Sequence, residues 1–168
     1  MGAVGKLAPK PSADAAAGVR LGALRHSIGF LLRVCQVRLY DQFYERLGDS
    51  DLRPGEFSLL WVISQNPGIK QGVLAQTLAI KPAHMTKTVR RCAARGLLHR
   101  VIPEDDRRSV QLSLTLRGTD FVTANSHNFF GPTAYNTHSL TEEEAATLAH
   151  LLRRFCGLPD CEPERAAR

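Results

Sequence analysis

The sequence predicts a mainly α-helical chain with one small β-hairpin wing, arranged as a winged helix-turn-helix between longer N- and C-terminal helices. Three observations predict it. Apolar residues recur at three- and four-residue steps over most of the chain. Two short helical stretches lie only two or three residues apart near its middle. Directly after them the period switches to two on either side of a charged turn.

Residues 1–20 are rich in Ala, Gly and Pro, lack periodicity, and are expected to be a disordered tail. A helix is expected over residues 21–47, where Leu24, Ile28, Leu31, Leu32, Cys35, Leu39, Phe43 and Leu47 form one apolar row, closed by Gly48. A second starts at Pro54, which needs no amide hydrogen at a first helical position, and ends at the breaker Asn66-Pro67-Gly68. The third spans about Lys70 to Leu78, with Val73, Leu74, Thr77 and Leu78 inward. Lys81-Pro82 opens the fourth, which runs to about Arg95 before Gly96. Leu97–Ile102 and Val110–Leu114 read as the two strands of a hairpin, joined by the charged segment Pro103–Ser109. A fifth helix begins at Leu116–Gly118, carries Phe121, Val122, Asn125, Phe129 and Phe130, and is interrupted by Gly131-Pro132. The last has a capping box, Thr141 with Glu144, and an apolar face of Ala145, Leu148, Leu151, Leu152 and Phe155. Gly157-Leu158-Pro159 ends it, and residues 157–168 form a polar tail.

A chain of 168 residues fits one domain, over residues 21–156, plus tails. No apolar run approaches the ~20 residues that cross a bilayer, and residues 1–18 lack the apolar stretch of a secretory signal, so a cytoplasmic location is expected. Cys35, Cys92, Cys156 and Cys161 have no paired spacing and read as reduced thiols. The six histidines form no zinc-type cluster, so neither metal nor cofactor is expected. GxSxG, GxxxxGK[ST], HExxH and a GxGxxG after a strand are all missing, which argues against an enzyme.

Charge is distributed unevenly along a chain whose formal net value is +6. Residues 66–117 hold ten basic side chains against three acidic ones, whereas residues 118–168 hold four against seven. A basic middle between near-neutral or acidic arms is the electrostatic footprint of a polyanion site on one module, residues 54–117. Taking ~100° per residue, the fourth helix turns Met85, Val89 and Cys92 to the core. Ala83, Lys87, Arg90 and Ala94 lie opposite, with His84, Thr86 and Arg91 on the flanks. Small residues let a helix approach base edges in a major groove about 12 Å wide, and the cations suit phosphates or guanine edges. The same cations near a helix C-terminus also suit an ordinary surface helix, whose dipole they complement. Arg107 and Arg108 at the hairpin tip favour the DNA reading, since a narrow minor groove attracts arginine, and a neighbouring aspartate can hold such a side chain extended.

From LAQTLAIKPAHMTKTVRRCAARGLLHR through PEDDRRSVQLSLTLRG to SLTEEEAATLAHLLRRF, the chain resembles the MarR family of bacterial transcriptional regulators, over roughly Leu24 to Phe155. The resemblance implies a homodimer built from residues 21–47 and 118–156 of both subunits, meeting a pseudo-palindromic duplex. Its DNA-contacting candidates are Lys81, Pro82, Ala83, His84, Thr86, Lys87, Arg90, Arg91, Asp106, Arg107 and Arg108, with Asp106 supporting the wing and Arg108 entering the minor groove. It implies repression relieved by a small molecule, often an aromatic acid or acyl thioester. Phe30, Arg33, Tyr40, Phe43, Trp61, Phe121 and His127 are the candidate lining residues, although plain core is the first reading of the aromatics, which dominate cores anyway. The chain departs from the family at Lys81, where Ser or Thr is usual, and at Gly72, which costs its helix about 1 kcal/mol relative to Ala. Two alternatives stand beside this reading. One is a protein-interaction module without ligand response. The other is a thiol-redox regulator, although Cys35 lies on the apolar side of its helix and is expected to be buried and inert.

Overall fold

The computed structural model describes residues 19–47, 52–53, 55–106, 109–130 and 140–158. Gly48, Pro54, Arg107, Arg108, Gly131, Pro132 and the two tails beyond Val19 and Leu158, all singled out above, lie outside the described residues. The chain divides between Asp41 and Gln42 into two compact units.

In the first unit a 3-10 turn, Gly22–His26, precedes α1 (Ile28–Leu47), which continues into the second. The expected single helix from residue 21 is therefore broken at Ser27. Its backbone is extended there, and its hydroxyl accepts the Phe30 amide at 3.4 Å, giving α1 a local start. Cys35 is exposed, not buried as its place in the apolar row suggested. Leu24, Ile28, Leu31 and Leu39 in that row are likewise at least two-fifths exposed. Among the described residues of the first unit none is buried, so they give the α1 face no core to sink into.

The second unit is built on α2 (Glu56–Gln65), which is apolar around most of its circumference and therefore central. Phe57, Leu59, Leu60 and Ile63 are fully buried. Gly55, in the left-handed region at φ 86°, turns the chain into α2. Asn66 closes it, its side-chain amide donating to the Val62 carbonyl at 2.9 Å. Soon after comes β1 (Ile69–Lys70), a strand absent from the sequence expectation. Two residues carry no periodic signal; β1 exists because β3 (Gln111–Leu114) offers it an edge, with Ile69 opposite Leu112 and Lys70 opposite Gln111. On the other side of β3, β2 (Leu98–Val101) pairs antiparallel, from Leu98 opposite Leu114 to Val101 opposite Gln111. The wing is thus part of a three-stranded sheet in the order β1-β3-β2.

Between β1 and β2 lie α3 (Gln71–Thr77) and α4 (Pro82–Ala94). The inward face of α3 is Leu74 and Ala75, with Leu78 half-buried after it; Val73 and Thr77, expected inward, are exposed. Either row of leucine or valine is compatible with a helix this short. Ala75 decides it, because its methyl side chain allows close packing. Met85, Val89 and Cys92 of α4 are fully buried as expected. Gly96, φ 70°, takes the chain out of α4.

Helix α5 (Leu116–Phe130) is bolted to that exit. Thr115 donates its amide to Leu97 (3.1 Å) and its hydroxyl to Gly96 (2.6 Å), while the hydroxyl oxygen accepts the Gly118 amide at 2.9 Å. A Cβ at Gly118 would run into the Leu97 carbonyl, so only glycine allows this approach. Further along, Phe129 stacks on Phe57 with centroids 3.7 Å apart, and Phe43 meets Phe129 edge-on at 5.8 Å. Helix α6 (Glu142–Phe155) starts with the expected capping box: Thr141 N–H donates to Glu144 Oε2 at 2.7 Å, and Glu144 N–H to Thr141 Oγ1 at 3.2 Å. None of its residues is buried.

Candidate nucleic-acid interface

Helix α4 separates into two sides because its apolar row is swallowed by the core. Ala83, His84, Lys87, Arg90 and Ala94 remain exposed, as do Lys81 and Pro82 at its start. Lys81 occupies the N-cap with an extended backbone and no side-chain cap, so the missing hydroxyl is not replaced from within the residue. The first amides of α4 and two cations therefore share one surface, and such amides favour anionic ligands.

Thr86 is half-buried and tied down. Its hydroxyl donates to the Pro82 carbonyl at 3.0 Å and accepts from Gln71 Nε2 at 3.2 Å. Gln71, which sequence reasoning missed, thus braces α4 from the first residue of α3. An apolar cleft of about 410 Å³ lies beside this brace, lined by Ala75, Ile80, Pro82 and Met85 among others.

Arg91 behaves differently from the other α4 cations. Its Nη1 lies 3.5 Å from Glu56 Oε1, and its side chain is 21% exposed. Arg95 approaches the other carboxylate oxygen at 3.7 Å and is 22% exposed. Both face a buried carboxylate on α2. The i, i+4 spacing of Arg91 and Arg95 was readable, but the acid that receives them was not.

At the wing, Asp106 does more than flank the arginines. It accepts Lys70 Nζ at 3.0 Å, joining the wing to β1, and its carbonyl accepts the Ser109 amide at 3.0 Å. Lys70 was not among the candidates; nothing in the sequence links it to a residue 36 positions away. The pair is half exposed and contributes at most about 1 kcal/mol, so it orients the wing more than it stabilises the fold.

The effector candidates fall in both units, three in the first and four in the second. Phe30 is half-buried, and Arg33 and Tyr40 are exposed, in the first unit. In the second unit Phe43 is buried against Phe129, Trp61 tilts on Phe130 at 4.5 Å, and His127 is exposed. Phe121 lies under the Arg95 guanidinium, 5.8 Å from ring centroid to Cζ. Phe43 and Trp61 thus have core contacts of their own. Among the described residues no group of His, Cys, Asp and Glu could hold a metal ion, and no helix is long and apolar enough to cross a membrane.

Comparison with known proteins bears on the same elements. Residues 52–110, which span α2 to the wing, match the model of the MarR family. A protein of Thauera aromatica, a candidate transcriptional regulatory protein for the hcr operon, is 27% identical over 147 residues, covering 87% of this chain and 89% of its own length. The transcriptional repressor CouR, solved on a 23-mer DNA duplex, superposes with a TM-score of 0.74 at 27% identity, covering 82% of this chain and 98% of that one. The reduced form of MarR from E. coli gives a TM-score of 0.65 at 25% identity, over 77% of this chain and 96% of its own. With its helix-turn-helix, its wing and its capped last helix, the chain is similar to MarR-family regulators, and its residues 52–110 match that family's model.

Proposed function

We propose that this protein acts in the cytoplasm as a dimeric, sequence-specific regulator of transcription that binds double-stranded DNA. Residues 54–117 form the DNA-binding lobe, and helices within 21–47 and 118–156 form the dimer. The observation that carries this reading is the outward face of α4, where Ala83, Lys87 and Arg90 stand exposed above a fully buried Met85, Val89 and Cys92. A rigid helix with a small and cationic outer face fits a major groove. The wing is braced by Lys70 and Asp106, and Arg107 and Arg108 are the residues assigned to the adjacent minor groove in this reading. Two such lobes related by a two-fold axis meet half-sites about one helical turn apart. Repression is supported by the likeness to CouR, a repressor solved on DNA. Release is by a small aromatic acid or acyl thioester, in keeping with the family resemblance, and a thermal-shift screen of those compounds tests it.

Dimerisation is supported by the exposed apolar rows of α1 and α6, whose large side chains are left uncovered: Ile28 is 59% and Phe155 63% exposed. Apolar rows of that extent are normally covered by a second surface. The test of DNA binding is its salt dependence: with the named cations on phosphates, log affinity falls linearly with log salt, by about 0.9 per phosphate neutralised. Arg90→Ala should weaken binding by about 1–3 kcal/mol and flatten that slope by about one contact. A flat salt response in the unaltered protein would leave an interaction module in its place.

A further inference from the structure

Glu56 is the most deeply buried acid among the described residues, 3% exposed, and it sits at the start of α2 rather than on the candidate interface. Its carboxylate is held from the residues just before its helix by the Arg53 amide, which donates to Oε2 at 3.0 Å. From α4 it receives Arg91 on one oxygen (3.5 Å), and from the residue capping α4 it receives Arg95 on the other (3.7 Å). Arg95 also lies over the Phe121 ring of α5, so a single side chain links three helices. At ~100° per residue, the Arg91/Arg95 side of α4 is roughly a quarter turn from the face carrying Ala83, Lys87, Arg90 and Ala94. Two grips one turn apart, on one fixed carboxylate, resist rotation of α4 about its axis.

We propose that Glu56 is a positioning residue for DNA recognition: gripping Arg91 and Arg95, it sets the roll of α4 that turns Ala83, Lys87 and Arg90 outward, and it keeps both arginines out of the phosphate-binding set. The inference rests on the DNA-binding reading above and adds a division of labour among the α4 cations. Lys87 and Arg90 meet the duplex, while Arg91 and Arg95 orient the helix that presents them. Small errors in a supporting shell degrade a recognition surface even when every contacting residue is intact.

The experiment compares the full-length protein with Glu56→Gln, Arg91→Met and the double variant. The probes are a duplex selected by the unaltered protein from a random-sequence pool and a scrambled duplex of equal length. Affinities are corrected for the folded fraction by circular dichroism. Each single variant should bind the selected duplex about tenfold more weakly and discriminate less against the scrambled one. The double variant should be no worse than Glu56→Gln alone, since loss of the carboxylate already releases Arg91. The salt slope of Arg91→Met should match the unaltered protein, whereas Lys87→Ala should lose about 0.9. Unchanged discrimination in Glu56→Gln, or a slope reduced by about one in Arg91→Met, would overturn the proposal. If Glu56→Gln does not fold, Arg95→Lys, which keeps the charge but not the guanidinium, is measured with the same probes and the same two outcomes. Failure of the unaltered protein to select any duplex would instead overturn the DNA-binding reading itself.

Discussion

Helices α4 and α6 are nearly the same length, 13 and 14 residues, and each carries an apolar row at helical spacing. Their fates differ. Met85, Val89 and Cys92 of α4 are fully buried, while Leu148, Leu151 and Phe155 of α6 are 44%, 52% and 63% exposed. An amphipathic pattern states that a face will be covered; it does not state by what. For α4 the cover is the core of its own unit. For α6, among the described residues, it is not, and a second copy of the chain is the occupant we propose.

The contrast can be broken at either helix. Leu151→Glu should have the larger effect on binding. The helical signal is retained, sedimentation at micromolar concentration shifts from dimer to monomer, and affinity for the selected duplex drops about 100-fold as the second lobe is lost. A persistent dimer would move the interface away from α6. Met85→Ala has a different signature. It removes side-chain volume from a filled core and should lower the unfolding free energy by about 3 kcal/mol in a denaturant titration. A loss well under about 1 kcal/mol would show that the α4 face is not part of a close-packed core.

Cys92 sharpens the same comparison by chemistry. Burial, and secondarily the neighbouring Glu56 carboxylate, push its thiol up from the ordinary 9.0 to about 11. Exposed Cys156 just after α6 and Cys35 on α1 should therefore be alkylated by iodoacetamide at neutral pH, and Cys92 spared until the protein unfolds. Labelling of native Cys92 at the rate of Cys156, read by peptide mass mapping, would contradict the burial. The linkage has a definite sign. Between pH 9 and about 11 the unfolded chain releases a thiol proton that the folded chain retains, so this contribution to stability is present below that window and is lost as pH rises through it.

Much of the fold was legible in advance because its signals are local. Pro82 at the start of α4, the Thr141–Glu144 capping box and the alternation at Gln111–Leu114 each act within a few residues. The α4 core row was also legible, since one helix period suffices to find it. What escaped depended on neighbours distant in the chain. Strand β1 exists by pairing with β3, and Val73 points outward because Ala75 packs instead. Ser27 breaks the first helix through a hydroxyl that could equally have faced solvent.

By itself, then, the order of residues determined the helices, the hairpin and the concentration of positive charge on residues 66–117, because propensity, capping and net charge are properties of short stretches. Only the tertiary structure decided which cations are available. Lys87 and Arg90 are left in solvent, Arg91 and Arg95 are drawn to Glu56, and Lys70 is committed to Asp106. The physical reason is that an ion pair between helices depends on the separation of side chains in space, which the folded packing alone supplies.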